Sequence, residues 1–301
     1  MKTSTPSTRL FVIVARNAPI AVIFRRGPSK QVLLIKWNMK DDTFEIGQWL
    51  KGRIYERRCD LSPEGDLLMY FAASWRKPYQ SWSAVSRPPF LTALALWPKG
   101  NAWGGGGQFE SRNRILLNHQ EWETELAENF SVPKWATVTN FGEYSGGGED
   151  DPVWSSRLTR DGWVLTRVPG KTKPDWTAKV TWVYEPPLLW EKAHPVKPGN
   201  YILQMSVLGI DEKDGSWYVA EHSVVSADGT VISLGRSEWA DWSPKGDLLY
   251  SQGGRLYRLR WKHRVLAPIE ATEEIADFSE LKFQQCEAPG EARQWPPMRK
   301  K

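Results

Sequence analysis

Short apolar or alternating runs, bounded by Gly, Pro, Asp and Asn, dominate the pattern along the chain. Such runs and boundaries are typical of strands joined by tight turns. The clearest runs occupy residues 10–14, 21–24, 32–35, 67–71, 91–96, 163–168, 180–184, 201–207, 217–220 and 231–234. With the weaker runs included, we expect on the order of twenty strands and an all-β fold.

Helical patterns are confined to two segments. Residues 119–130 (HQEWETELAENF) place Trp122, Leu126 and Phe130 four apart, which predicts about three turns of an amphipathic helix. Residues 271–281 form a weaker candidate. Two Gly-rich stretches, at residues 104–107 and 145–152, predict mobile surface connections.

One nine-residue motif occurs twice, as D-x-S-P-x-G-D-L-L at residues 60–68 and 241–249. Proline presets φ and glycine supplies a left-handed position, so the motif describes a tight turn that leads into a buried strand. The Asp side chain before such a turn commonly accepts hydrogen bonds from nearby backbone N–H groups. We therefore expect a structural role for six residues: Asp60, Pro63, Gly65, Asp241, Pro244 and Gly246.

The motif resembles the D-x-S-P-D-G-x-x-I/L-x-F/Y signature of TolB-like and WD-type β-propeller repeats. The chain departs from that signature at Glu64 and Lys245, and its aromatic residue follows at two different offsets, Tyr70 and Tyr250. Weaker echoes occur at residues 96–101, 158–163 and 225–230. The resemblance implies a single irregular β-propeller of about five or six blades, with an irregular β-sandwich as the alternative.

The length of 301 residues suits one large all-β domain or two small ones. We expect this propeller-like domain to occupy residues 1–286. The remaining residues, 287–301 (EAPGEARQWPPMRKK), are Pro-rich and basic and predict a tail that wraps the surface or frays.

Tryptophan is unusually frequent, with 18 Trp against 9 Tyr and 10 Phe. Because the Trp residues are spread from Trp37 to Trp295, most are expected to pack in the sheets, which leaves two or three as stacking platforms. The net charge of +5 permits contact with nucleic acid or an acidic surface without requiring it.

Cysteine and the N-terminal sequence bear on the compartment. Cys59 and Cys286 form no C-x-x-C, which argues against a disulfide framework, although one long-range disulfide between them stays open. Residues 1–26 lack the uninterrupted apolar segment of a signal peptide, and no stretch is long enough to span a membrane. We expect a cytoplasmic protein with no membrane association.

Recognisable catalytic motifs are missing from the sequence. It contains no H-E-x-x-H, no G-x-S-x-G and no phosphate loop, and its four His lack a second ligand at metal-binding spacing. We predict no catalytic residue, no cofactor and no metal site. The acidic residues Glu149, Asp150 and Asp151 are expected to form a solvated loop, with a hard cation such as Ca²⁺ as the alternative.

Two sets of residues are candidates for binding. The loops around residues 75–87 and 97–103 combine Trp, Tyr and Arg, the residue types enriched at interface hot spots. This first set comprises Trp75, Arg76, Tyr79, Trp82, Arg87, Trp97 and Trp103. The second set alternates along a predicted strand over residues 258–265, which would place four positive charges on one face. It comprises Arg258, Arg260, Lys262 and Arg264.

Three functions are compatible with these features. The first is a non-catalytic scaffold that binds a protein partner. The second is a carbohydrate-binding protein or glycan-acting enzyme, which requires two carboxylates and an exposed Trp in one pocket. The third is a nucleic-acid binder, which requires a continuous basic stripe that extends beyond residues 258–264.

Overall fold

The computed structural model describes residues 8–27, 30–148, 150–170 and 172–298. About 47% of these residues lie in strands and 8% in helices, so the expected all-β class is confirmed. The chain divides into two compact units. We call residues 12–157 with 282–301 the N-terminal unit, and residues 1–11 with 158–281 the C-terminal unit.

The first sheet has four strands in sequential order. These are β1 (Arg9–Val14), β2 (Ile20–Arg26), β3 (Gln31–Asn38) and β4 (Thr43–Lys51). Residues 12–14 of β1 belong to the N-terminal unit, as do the other three strands. Most side chains of β2 and β3 are buried, which explains why both strands appear in the sequence as unbroken apolar runs.

Two further sheets complete the N-terminal unit. The second sheet contains β5 (Arg53–Ile54), β6 (Asp60–Leu61), β7 (Leu68–Ala73), β8 (Ser81–Ser86) and β9 (Ala93–Pro98). The third contains β10 (Gly107–Ser111), β11 (Arg114–Leu117) and β12 (Thr137–Asn140). In the second sheet the order is β5–β7–β8–β9, with β6 also paired to β7. In the third, β10 and β11 are antiparallel, whereas β12 runs parallel to β11 at the edge.

The C-terminal unit begins with a five-stranded antiparallel sheet in sequential order. Its strands are β13 (Trp163–Arg167), β14 (Val180–Ala193), β15 (Tyr201–Glu212), β16 (Tyr218–Ser226) and β17 (Val231–Arg236). The remaining strands are β18 (Trp239–Trp242), β19 (Leu248–Gln252), β20 (Arg255–Leu259), β21 (Trp261–Lys262), β22 (Val265–Leu266) and β23 (Glu273–Asp277). They form a sheet in the order β18–β19–β20–β23 and a small β21–β22 hairpin.

Neither predicted helix forms. Residues 119–130 contain only a 3-10 turn at Glu121–Glu123, because the Ala127 N–H donates instead to the carbonyl oxygen of Leu96 in β9. Trp122 is exposed while Leu126 packs against the core, so the expected apolar face does not exist. Residues 273–277 pair with β20 as β23, so the second prediction is also wrong.

One α-helix, α1 (Val153–Arg160), was not predicted from the sequence. It follows the Gly-rich segment, and the carbonyl oxygen of Asp150 accepts from the Trp154 N–H at its start. Val153, Trp154 and Leu158 are buried along it. At only eight residues, the helix was too short for its apolar period to stand out in the sequence.

The two copies of the repeated motif form the same turn, one in each unit. Ser62 Oγ accepts from the N–H groups of Asp66 and Leu67 at 3.1 and 3.0 Å. Ser243 Oγ accepts from the Asp247 N–H at 2.9 Å. Gly65 and Gly246 have φ of 75° and 92°, the left-handed region that favours glycine. The turn expected from the motif is therefore present twice.

The strand register explains the unequal offsets of the two tyrosines. Asp60 lies opposite Met69 in the first copy, and Asp241 lies opposite Leu249 in the second. Tyr70 and Tyr250 each come directly after that opposite residue. The first turn thus contains one extra residue, and the two tyrosines occupy equivalent positions.

The tail and the cysteines are both found in the N-terminal unit. Trp295 packs edge-on against Trp135 at 5.8 Å and donates from Nε1 to the Ser131 carbonyl oxygen at 3.1 Å, so the described part of the tail lies along the surface. Cys59 is buried and Cys286 is exposed, and both thiols are free, so the long-range disulfide does not form. Within the described ranges, no helix is both long and apolar enough to cross a membrane.

Candidate aromatic binding surface

Hydrogen bonds connect four loops of the N-terminal unit, three of them directly and the β7–β8 loop through Ser81, the first residue of β8. The β7–β8 loop (74–80) precedes Ser81, whose carbonyl oxygen accepts from the Lys99 N–H at 3.0 Å. Lys99 begins the β9–β10 loop (99–106), and its ammonium forms an ion pair with Glu123 of the β11–β12 connection. Gln120 Nε2 of that connection donates to the Ser145 carbonyl oxygen of the fourth loop (141–148) at 2.9 Å.

Asn118 connects three of these loops through its side chain and backbone. Its Nδ2 donates to the Gly105 carbonyl oxygen at 3.2 Å, and its Oδ1 accepts from the Gly146 N–H at 2.8 Å. Its backbone exchanges hydrogen bonds with Gly105 and Gly106. Asn118 is fully buried, so these bonds are shielded from water. The Gly-rich stretch at 104–107, expected to be a mobile connection, is fixed in place.

Ser83 and His119 form a buried hydrogen-bonded pair beneath the loops. The Glu123 carbonyl oxygen, 2.8 Å from His119 Nδ1, only accepts, so Nδ1 carries the proton. Nε2 then accepts from Ser83 Oγ at 2.8 Å, and Ser83 Oγ itself accepts from the Gly106 N–H at 2.6 Å. Burial lowers the pKa of His119 to about 4. Ser83 and His119 are both fully buried, and through the Gly106 N–H the pair holds the backbone of the Gly loop.

Each of the four joined loops exposes a large aromatic side chain. The exposed fractions are 56% for Trp75, 75% for Trp103, 79% for Trp122 and 76% for Tyr144. We call these four residues the aromatic loop surface. Trp75 has φ of 57°, a conformation that is costly for a bulky residue and that often marks functional loops. Because these four large aromatic side chains lie on connected loops, they are candidates for one binding surface.

The structure separates the seven residues predicted for binding. Trp75, Arg76 and Trp103 are exposed on the joined loops, whereas Tyr79, Trp82 and Arg87 are half-buried. Trp97 lies in the core of the unit with 2% of its surface exposed. The sequence reasoning missed Trp122 and Tyr144, because Trp122 was assigned to a helix face and Tyr144 stands alone before a Gly-rich stretch.

The basic strand predicted at residues 258–265 is wrong. The chain leaves β20 after Leu259 and forms the β21–β22 hairpin, whose turn residues His263 and Arg264 have φ of 51° and 66°. Positive φ at two successive residues is typical of a two-residue hairpin turn. Because the chain reverses there, residues 258–265 do not form one strand with alternating faces. Four charges on one strand face therefore do not occur.

The four basic side chains have different surroundings. Arg258 is buried and pairs with Asp247 at 2.9 Å, and Arg260 pairs with Glu273 at 2.8 Å. Lys262 and Arg264 are exposed. The geometry that motivated a nucleic-acid interface is lost.

The aspartates before the two repeat turns hold local structure in different ways. Asp60 is fully buried, and its Oδ2 accepts from the Phe109 N–H at 2.8 Å. Asp241 Oδ1 accepts from the Lys192 ammonium at 2.6 Å and from the Trp242 N–H at 2.7 Å. Burial raises the pKa of Asp241, while Lys192 opposes that shift.

The acidic loop shows no arrangement for a cation in its described part. Glu149 lies outside the described residues, and Asp150 forms an ion pair with Arg57 at 2.7 Å. Across the described ranges, no group of three or more His, Cys, Asp or Glu side chains is placed to hold a metal ion.

A cleft with a volume of about 780 Å³ lies beside β12. It is lined by Trp97 of β9, by three residues of the segment 121–126, and by residues 132–134 and 136–140. Glu121 is the one acidic side chain in this lining and Lys134 the one basic side chain. The cleft therefore lacks the pair of carboxylates that a glycan-acting site requires.

Comparison with known proteins gives only distant likenesses. No family model and no curated protein matches the chain. An uncharacterized protein of Listeria monocytogenes EGD-e shares 10% identity over 84% of this chain and 91% of its own, with a TM-score of 0.34.

Two further solved structures are similar at the same level. A "putative 6-phosphogluconolactonase" of Bacteroides fragilis NCTC 9343 shares 10% identity over 91% of this chain and 96% of its own, with a TM-score of 0.31. The β-propeller domain of the Trilobed protease of Pyrococcus furiosus shares 11% identity over 91% of this chain and 100% of its own, with a TM-score of 0.30. At these TM-scores the likenesses support no conclusion about activity.

Proposed function

We propose that this protein is a non-catalytic scaffold that binds a protein partner through the aromatic loop surface of its N-terminal unit. The observation that carries the proposal is the joining of four loops that each expose one large aromatic side chain. Trp and Tyr are enriched at interface hot spots because they bury a large area with few rotatable bonds.

The loops are preorganised, which favours binding. Asn118, Gln120 and Ser83 fix the backbone through buried or half-buried hydrogen bonds. A partner that docks there orders little additional backbone, so less of the interaction energy is lost to conformational entropy.

We also propose that the sheets are blades of an irregular β-propeller. Support comes from sheets whose strands follow chain order and from the two copies of the D-x-S-P-x-G-D-L-L turn. Both features suit blades joined in sequence. A β-sandwich stays the alternative architecture, and the single domain over residues 1–286 and the cytoplasmic location stay predictions.

The two other ligand classes have less support. A sugar could stack on an exposed Trp, but the described cleft beside β12 places only Glu121 as an acid, and its Trp97 is buried. A nucleic acid would need the basic strand, which does not form. Both classes are outcomes of the experiment below.

The test is capture of partners by the tagged full-length protein from its native lysate, with and without nuclease, read by mass spectrometry. The Trp103→Ala/Trp122→Ala double variant should lose a stoichiometric protein partner that the wild type retains after nuclease treatment. Removal of two hot-spot side chains is expected to weaken binding at least about thirtyfold.

The matched control is Trp176→Ala in the C-terminal unit, because Trp176 is 74% exposed and lies outside the aromatic loop surface. This variant should capture the partner as the wild type does. Equal capture by the double variant and the wild type would overturn the proposal. Loss of every captured protein after nuclease would indicate nucleic acid instead, and capture of glycans alone would indicate a carbohydrate binder.

A further inference from the structure

Strand β12 presents an edge with no neighbouring strand. It pairs with β11 on one side, and it pairs with no other strand of the described ranges. The third sheet has three strands, whereas the first has four and the sheet that begins the C-terminal unit has five. An edge of this kind can accept an additional strand from another molecule.

The hydrogen-bond register shows which backbone groups of β12 face outward. The Thr137 N–H donates to the Asn113 carbonyl oxygen at 2.8 Å, so the peptide groups of Thr137 face β11. Backbone groups of successive residues in a strand point to opposite sides, and Thr139 therefore also faces β11. The N–H and C=O groups of Val138 and Asn140 point to the free edge.

The cleft of about 780 Å³ follows this edge. All four residues of β12 line it, together with Leu126 and Val132, which are partly exposed and pack against the core of the unit. Both an apolar contact surface and a row of backbone donors and acceptors are thus available to one occupant. An extended peptide matches this combination, because it presents backbone hydrogen-bonding groups along its edge and side chains to either side.

The charges in the cleft are also unmatched. Glu121 and Lys134 are both exposed, and neither forms an ion pair with another described residue. An occupant complementary to the cleft therefore carries a basic side chain for Glu121 and an acidic one for Lys134. Trp122 of the aromatic loop surface directly follows Glu121, so the cleft adjoins that surface.

We propose that the protein partner inserts an extended segment that pairs with β12, with apolar residues against Leu126 and Val132 and a basic residue at Glu121. The inference rests on the proposed function, because the partner that covers the aromatic loops supplies the strand.

The experiment selects short peptides from a random phage-displayed library on the full-length protein and measures amide hydrogen exchange residue by residue with a selected peptide bound. Exchange at Val138 and Asn140 should slow at least about tenfold, since both N–H groups gain an acceptor. Thr139 should already exchange slowly in the free protein. N-methylation of alternate peptide residues on the pairing edge should abolish binding.

A charge reversal tests the chemistry of the peptide. Glu121→Lys should weaken the peptides selected on the wild type at least about tenfold and favour acidic residues in a new selection. Glu125→Lys is the matched control, because Glu125 is exposed on the same segment but does not line the cleft, and it should leave binding unchanged. Selected peptides that leave exchange at Val138 and Asn140 unchanged, or a selection that yields none, would overturn the proposal.

The outcomes separate this inference from the proposed function. The Trp103→Ala/Trp122→Ala variant should still bind the peptide, because neither Trp lines the cleft. Edge protection without loss of partner capture in that variant would overturn only the aromatic docking surface. Loss of capture in that variant without edge protection would overturn only the added strand.

Discussion

The two units carry the same repeated turn in different surroundings. In the N-terminal unit, Asp60 is fully buried and satisfies the Phe109 N–H, while in the C-terminal unit Asp241 meets the Lys192 ammonium. The serine and glycine positions perform the same task in each copy. The motif thus specifies the turn itself, and the surrounding chain determines what its aspartate stabilises.

The two units also differ in how they hold their exposed aromatic side chains. The N-terminal unit holds four of them on loops connected by buried and half-buried hydrogen bonds. Trp176 of the C-terminal unit lies on a turn held by exposed bonds, in which Asp175 Oδ1 accepts from Thr177 and from the Ala178 N–H. Exposure alone therefore does not distinguish the two regions. The two regions differ in the hydrogen bonds that hold the loops beneath the aromatic side chains.

The largest change in the free energy of unfolding is expected from substitution of the two aspartates that precede the repeat turns. Asp60→Ala leaves the buried Phe109 N–H without its acceptor and creates a cavity, so it should lower the free energy of unfolding by about 3 kcal/mol. Asp241→Ala should cost less, about 2 kcal/mol, because the burial that raises the pKa of Asp241 already offsets part of what its ion pair with Lys192 contributes. Urea unfolding of both variants checks the difference, and equal losses would contradict it.

A slightly smaller loss is expected at Asn118. Asn118→Ala removes the bonds to Gly105 and Gly146, leaves buried backbone groups unsatisfied, and should destabilise the protein by about 2–3 kcal/mol. Asn101→Ala is the control, because Asn101 is exposed and its side chain accepts one hydrogen bond, from the Trp103 N–H. Thermal unfolding that ranks the two variants in the opposite order would show that Asn118 does not hold the loops.

Each unit also contains a buried neutral histidine, which predicts destabilisation in acid. Burial lowers the pKa of both His119 and His222 to about 4, below the unfolded value near 6.5. Their contribution is complete above pH 6.5 and is lost as the pH falls towards 4, by about 2 kcal/mol for each at pH 5. His119→Gln and His222→Gln should each reduce the pH dependence of the free energy of unfolding between pH 7.5 and 5. An unchanged slope in either variant would show that the substituted histidine does not contribute to the destabilisation in acid.

A group in the C-terminal unit has the opposite pH dependence. Burial raises the pKa of Glu238 to about 7, and its Oε2 is buried without a hydrogen-bond partner among the described residues. Its contribution is complete below the unfolded value near 4.5 and is lost as the pH rises through 7. Glu238→Gln should therefore stabilise the protein at pH 8 by about 2–3 kcal/mol relative to its effect at pH 5. The same change at both values would contradict a titrating Glu238.

Much of the strand arrangement could be predicted from the sequence, whereas the aromatic loop surface could not. Unbroken apolar runs such as those in β2 and β3 identify buried strands, because burial on both faces leaves no polar positions. The helix predicted for residues 119–130 does not form, because the Ala127 N–H donates to the Leu96 carbonyl oxygen in β9 instead of to a carbonyl oxygen of its own segment. The role of Asn118 could not be predicted from the sequence, because its hydrogen bonds depend on which loops lie around it in the folded protein. Trp103 was identified by residue type, but residue type also selected the buried Trp97.

Oxidative footprinting of the protein with and without its captured partner tests the central claim most directly, because it measures the accessibility of each aromatic side chain in the complex. The proposed docking surface predicts that partner binding protects Trp75, Trp103, Trp122 and Tyr144 from oxidation. Trp176 should remain as reactive as in the free protein. Protection of Trp176 with no change at the four residues of the aromatic loop surface would contradict the account.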